Sequence, residues 1–251
     1  MTNRRSGREW VSTLTVGLAL GACVVSVQPA AAQSTIFNIP TTDTVAPQKV
    51  YFEFDYLKQV PGPDEGKFQI FAPRVVVGVT PQLELGFNVA NSHYSHGGGT
   101  YALFQPNAKY KFYADDDQGL AASAGVLWYI PMNHRDDVDS FGLVYGVISK
   151  KVASGARVTA GPYGVLAKEG AFSGRKGGVI LGYEQPLSGK VSFVADWFSG
   201  KNFFGYFTPG ISIVLPRSGL LNIGYSLGND SYEDPSNNNR AIFVYYGVTF
   251  P

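Results

Sequence analysis

The chain has 251 residues, with 20 Lys and Arg against 19 Asp and Glu, and a single cysteine, Cys23. That balance supplies no basic surface for nucleic acid, and one cysteine excludes an internal disulfide framework. Gly (30), Tyr (15) and Phe (17) against 2 Met favour strands and turns over helices.

Residues 1–32 read as an export signal. Arg4, Arg5 and Arg8 make a basic start, an apolar stretch runs from Trp10 to Val27, and Ala30-Ala31-Ala32 offers a cleavage site before Gln33. A membrane anchor is the alternative, but it needs about 20 apolar residues, and Pro29 and the alanines favour processing. Leu20-Gly21-Ala22-Cys23 resembles a lipoprotein box, which leaves a lipidated Cys23 open. Arg4-Arg5 lacks the rest of a twin-arginine motif. Cleavage after Ala32 removes three Arg and Glu9, leaving 17 basic and 18 acidic residues and no cysteine for metal or redox chemistry. The mature chain suits one all-β domain.

Residues 33–47, with Pro40 and Pro47 and no clear period, read as an extended periplasmic lead; a segment tucked into a barrel mouth is the other placement. From there the chain alternates. About twelve strands are expected, near 48–58, 67–79, 82–91, 100–113, 119–130, 140–151, 156–167, 175–185, 189–199, 203–215, 219–228 and 240–250. In the third, Leu83, Leu85, Phe87 and Val89 share one face, and Glu84, Gly86, Asn88 and Ala90 the other. The oily face elsewhere holds Val50, Phe52, Phe54 and Tyr56; Phe104, Ala108, Tyr110 and Phe112; Val191, Phe193, Ala195 and Trp197. Trp128, Trp197, Tyr110 and Tyr246 fall near strand ends, where interfacial aromatic girdles stand. A water-soluble β-sandwich would use the same aromatics as core.

An exported, alternating chain with few helices fits a transmembrane antiparallel up-and-down β-barrel, in the outer membrane of a Gram-negative-type bacterium. The links agree. Those after even strands are short, such as Thr80-Pro81 and Pro216-Arg217-Ser218. Most after odd strands are longer and polar, such as 92–99, 131–139 and 229–239, which places them outside the cell. An even strand count keeps both termini in the periplasm. Pro73, Pro106, Pro162 and Pro209 lie inside strands; Phe71-Ala-Pro, Phe104-Gln-Pro and Phe207-Thr-Pro suggest a repeated bulge.

The last strand, Tyr246-Gly247-Val248-Thr249-Phe250, resembles the aromatic C-terminal strand by which outer-membrane proteins reach their insertion machinery, although here Pro251 follows the Phe. Thr80-Pro-Gln-Leu-Glu-Leu-Gly86 and Thr208-Pro-Gly-Ile-Ser212 are similar to segments of porin- and transporter-like barrels, including the group linked to the meta-pathway of phenol degradation. The resemblance implies membrane lipid, the insertion machinery and small solutes as partners. A monomer is expected.

Enzymatic patterns are sparse. His93, His96 and His134 are the only histidines and fall in outer loops, where a shared metal with Asp136 competes with simple solvation. His96-Gly97-Gly98-Gly99 mimics a lipase oxyanion string without a Gly-x-Ser-x-Gly elbow. An outer-membrane phospholipase of similar strand number is a third reading, but no strand Ser pairs with a strand His. Asp115-Asp116-Asp117 and Asp136-Asp137-Val138-Asp139 read as solvated turns before calcium sites. No dinucleotide or phosphate fingerprint is present, so no cofactor is expected.

The inward face carries the candidate site. Arg74 and Glu84 are expected as diagonal partners across the second turn, with Lys109 and Lys111 at a similar height. Glu53, Asp55, Glu184, Lys190 and Asp196 extend this inward charge. On the lipid face each Arg or Lys would cost roughly 2–4 kcal/mol at the midplane. Gly86, Asn88, Gly182, Ser192, Thr208, Gly210, Ser212, Asn222, Gly224 and Ser226 argue for open lumen, while Phe243, Tyr245 and Tyr163 narrow it. The expected function is a passive channel for small solutes, with a mild anion preference if the charge belt lines the pore. A non-conducting structural or surface-binding barrel is the alternative.

Overall fold

A computed structural model describes residues 34–60, 68–95, 99–229 and 239–251. The export signal, His96 and most of the last long loop lie outside them. Twelve strands form: β1 (Val50–Gln59), β2 (Phe68–Gly78), β3 (Leu83–Tyr94), β4 (Gly99–Asp115), β5 (Leu120–Pro131), β6 (Phe141–Lys151), β7 (Arg157–Leu166), β8 (Gly177–Pro186), β9 (Val191–Phe198), β10 (Tyr206–Leu215), β11 (Gly219–Gly228) and β12 (Arg240–Phe250). Each pairs antiparallel with its sequence neighbours, and β1 closes on β12 with Val50 opposite Phe250. Closure leaves no free edge, so every strand has partners on both sides.

Two ends differ. At one, the turn end, even strands pass to odd ones through short links, and β1 begins where β12 stops. At the other, the loop end, the longer links gather. The largest departures from the expected boundaries are three residues each: β3 runs on to Tyr94 rather than 91, and β10 starts at Tyr206 rather than 203. Asn202 explains the late start of β10: its side-chain oxygen accepts from Phe204 N–H (2.9 Å) and its carbonyl from Gly205 N–H (3.0 Å), turning Phe204 into the barrel.

Alternation sorts the faces as the sequence indicates. Phe52, Phe54, Leu85, Phe87, Tyr110, Phe112, Ile223 and Ile242 are exposed on the outer wall. Charged side chains of outward parity, such as Lys58, Lys150 and Arg240, stand within two residues of a strand end. An apolar belt this continuous would be an aggregation surface in water and is a solvation match in lipid.

The four strand prolines do not form bulges. Around Pro73 the β2–β3 ladder passes from Phe71↔Asn91 to Arg74↔Asn88, losing two rungs with register unchanged. The same gap flanks Pro106 against β5, Pro162 against β6 and Pro209 against β11. A residue in an antiparallel strand bonds to one neighbour only, so each proline faces its missing N–H toward the interrupted side and stays in register with the other strand. The one register shift in the β4–β5 ladder lies instead between Lys111 and Tyr113.

Candidate functional site: a lumen occupied from the turn end

Residues 34–47 are not an extended lead. They enter the barrel and turn back on themselves, taking the second of the two placements the sequence allows. Thr35 and Pro40 form an antiparallel bridge, Ile36 N–H donates to Ile39 O (3.0 Å), and Thr41 N–H to Ser34 O (3.0 Å). The hairpin is tied to the turn end where Gln48 N–H meets Gly78 O (3.0 Å). Its Ile36 and Ile39 are fully buried, packed in one apolar cluster with Phe37, Tyr145, Ile180, Phe243 and Tyr245. Five of the inward positions expected to be open space, Gly182, Thr208, Gly210, Asn222 and Gly224, are the seat of this hairpin, while Asn88 and Ser226 line the cavity beyond it. A side chain at Gly182 would strike Ile36 and Ile39, and one at Gly224 would strike the Phe37 ring.

The inward charges grip it. Asp196 on β9 accepts from three successive backbone N–H groups of the hairpin tip, Phe37 (3.0 Å), Asn38 (2.5 Å) and Ile39 (3.0 Å). Three convergent amides make an anion nest, so this buried carboxylate is satisfied by the segment it holds. Beside it Asn38 donates to Thr208 (3.1 Å), and Asn222 donates to Ile36 O (3.2 Å) and to the Tyr245 hydroxyl (2.5 Å).

Across the lumen, Lys109 pairs with Glu84 (3.1 Å) and donates to Ser34 O (3.0 Å). Glu84 also accepts from Val45 N–H (2.8 Å) and from the Ser34 hydroxyl. Arg74 pairs with Glu53 (3.2 Å) and donates to Thr35 Oγ1 (3.0 Å); Tyr51 donates to Glu53 (2.5 Å). The expected Arg74–Glu84 diagonal pair is therefore not made. Glu53 lies directly opposite Arg74, and Lys109 directly opposite Glu84, so each charge meets its nearest cross-strand neighbour. Ser34 links the two pairs, since Arg74 Nη2 reaches its hydroxyl (3.4 Å).

Glu184 joins through Arg157, which bonds both Glu184 and hairpin Asp43. Burial works to raise the Asp43 carboxyl, but the charge and hydrogen bond of the adjoining Arg157, with Lys109 and Lys111 adding to them, together hold the group below its usual range. Arg157 and Asp43 escape a reading focused on the second turn, although the inward parity of Arg157 opposite Glu184 is visible in register. Lys111 is half-buried beside the register shift, and Lys190 is exposed in the β8–β9 turn, so Lys190 does not belong to the lumen set.

Toward the loop end, the hairpin forms the floor of a cavity of about 550 Å³. Leu57, Ile70, Leu103, Leu127, Tyr129, Phe141 and Phe204 dominate its walls. Tyr129 stacks on Phe141 at 4.5 Å, and Phe204 on Phe198 at 5.5 Å. Asp55, Arg74 and Asn88 meet it near the floor, on three adjacent strands.

His93 lies in β3 rather than in a loop, opposite Thr100 of β4, and bonds its hydroxyl (2.9 Å); His134, in the β5–β6 link, packs on Tyr101 at 4.9 Å. Among the described residues no group of three or more His, Cys, Asp or Glu could hold a metal. Asp115 accepts from Gln118 N–H (2.9 Å) and its amide (2.8 Å), and Asp139 pairs with Lys168 (2.6 Å); both acidic runs use turn and surface partners.

The sequence matches no protein-family model and no curated protein. The structure is similar to the crystal structure of an outer membrane channel from Pseudomonas putida F1, with TM-score 0.52 and 11% identity over 82% of this chain and 97% of that one. It also aligns with outer membrane phospholipase A from Escherichia coli (TM-score 0.49, 13% identity, 78% and 92% covered). The translocator domain of the autotransporter NalP from Neisseria meningitidis gives TM-score 0.46 at 13% identity, with 83% and 89% covered. The chain has the fold of a bacterial outer-membrane β-barrel.

Proposed function

We propose that the protein is an outer-membrane channel for small solutes, held closed by residues 34–47. The observation that carries this reading is the way the hairpin is bound. It is no strand of the wall, and polar and ionic groups hold much of its length, including Asp196, Glu84, Lys109 and Arg157. Such contacts exchange with water at modest net cost, whereas the ladder of the wall does not. Twelve strands lie between barrels of about 8 strands, filled by side chains, and those of 16–18, which hold an aqueous channel. A removable segment is what such a lumen needs in order to conduct. Similarity in fold to a P. putida outer membrane channel supports the reading.

The test is planar-bilayer conductance of the purified barrel and of a variant lacking residues 34–46. The intact protein should show rare or small openings, and the deletion a sustained conductance roughly tenfold greater or more, as expected when a plug leaves a lumen of this strand number. A deletion variant that stays folded, judged by heat-modifiable gel migration, yet remains silent would favour the non-conducting structural barrel.

A further inference from the structure

We infer that the cavity on the loop side of the hairpin is a binding site for a small amphiphile with a protonated amine at one end and an apolar body. The inference goes beyond the channel reading and stands whether or not the barrel conducts.

Charge is the first ground. Glu53 and Asp55 sit two residues apart on the inward face of β1, and one guanidinium serves them both; Arg74 is committed to Glu53 at 3.2 Å. The neighbouring Glu84–Lys109 pair is balanced. Among the described residues of the cavity floor, two neighbouring carboxyl groups therefore face one guanidinium, and a second cation has a place beside Asp55.

Hydrogen bonding is the second. Asp55 Oδ1 and Asn88 Oδ1 are buried acceptors with no hydrogen-bond partner among the described residues, and Arg74 Nε is the one buried donor at the floor in the same state, so acceptors outnumber donors there. Asn88 donates one amide N–H to Gln105 (3.1 Å), which sets the orientation of the amide and leaves Oδ1 facing no described donor. Buried acceptors call for a donor, and an ammonium brings three and the missing positive charge.

Shape is the third. Ala72 lies opposite Asp55 in the β1–β2 ladder, and Ala90 stands two residues beyond Asn88 on the same face of β3. These two small side chains leave a recess at the carboxylate, while the walls further out are aliphatic and aromatic. A volume of about 550 Å³ lies within the usual range for small-molecule pockets, roughly 300–1,000 Å³.

Isothermal titration of the purified, folded barrel with three probes of one length tests this: hexylammonium, 1-hexanol and hexanoate. Hexylammonium should bind roughly tenfold more tightly than the alcohol, because only it forms a charge-assisted bond, and hexanoate should bind weakest. Asp55→Asn should erase the preference for the amine while leaving the alcohol's affinity within about twofold. If Asp55→Asn disturbs folding, Ala72→Leu provides the second arm: it fills the recess without touching a charge, and should weaken all three probes. Equal affinity for amine and alcohol, tighter binding of hexanoate, or no binding of any probe would overturn the inference. Conductance is recorded separately, so loss of the channel reading leaves this result intact.

Discussion

The two halves of the lumen are built from the same twelve strands and the same alternation, yet their charged groups end in different states. In the turn-end half, inward charges are answered by the hairpin and by one another: Asp196 by three hairpin amides, Glu84 by wall Lys109 and by Ser34 and Val45, Arg157 by hairpin Asp43 and wall Glu184. In the loop-end half the wall turns apolar, and polar atoms such as Asp55 Oδ1 and Asn88 Oδ1 keep no partner among the described residues. Inward polarity in a barrel is therefore not by itself a mark of a wet pore. A charge pointing inward can be a ligand for the protein's own chain.

The contrast between the halves breaks most sharply at Lys109. In Lys109→Glu two carboxylates would face each other in a buried site that also holds Ser34, and breaking such a pair costs about 3–5 kcal/mol. We expect the hairpin to leave the lumen. A cysteine introduced at buried Thr42 should then react with a maleimide at least about a hundredfold faster than in the parent barrel. A rate unchanged in a folded barrel would show that the β3–β4 wall does not hold the segment.

Asp196→Ala comes next. It leaves three tip amides without their acceptor, for a cost of roughly 3 kcal/mol, so labelling at the same reporter should rise about a hundredfold or somewhat less. Because this wall lies opposite Lys109, additivity in the double variant would show independent grips.

Lys111→Glu is the control for the charge belt. Its side chain is only half-buried and sits beside the register shift, so its effect on labelling should stay within a few-fold, as for a partly exposed charge. If Lys111 instead governs reversal potential in the hairpin-deleted barrel, with Lys109→Glu adding to the shift toward cations, the belt serves as a selectivity ring once the lumen is open.

The smallest effect concerns pH. Arg157 holds the Asp43 carboxyl low against burial, so this pair stabilises docking above the ordinary carboxylate range. That contribution is lost as pH falls through the lowered value, because only then does Asp43 take up a proton. Labelling at Thr42→Cys, divided by the rate of a free thiol at the same pH because only the thiolate reacts, should thus rise on acidification. In Asp43→Asn the rise should be shallower, starting from a faster rate at neutral pH. Identical pH profiles would remove this pair from the docking equilibrium.

The topology has its own check. A tag after Asp137, in the β5–β6 link, should be reachable on intact cells, and one at Ser188 only after permeabilisation. The reverse pattern would put the hairpin's end of the barrel outside.

Sequence alone determined the wall. A period of two places Phe52, Phe54, Phe87 and Phe112 on one face and Glu53, Glu84 and Lys109 on the other, and the turn residues mark where strands stop, so strand number, closure and face follow from local chemistry. It also made Arg74, Glu84, Lys109 and Asp196 inward, because lipid will not take them. What it left undecided was whom they meet. Residues 34–47 carry no period, and their partners lie far along the chain, with Phe37 reaching Asp196 and Ile36 reaching Asn222. Such pairings arise only once the barrel has closed and brought β3, β9 and β11 around one axis. The direct opposition of Arg74 with Glu53 likewise depends on register between strands rather than spacing along one. Local periodicity specifies which way a side chain points; tertiary structure alone decides what stands there to receive it.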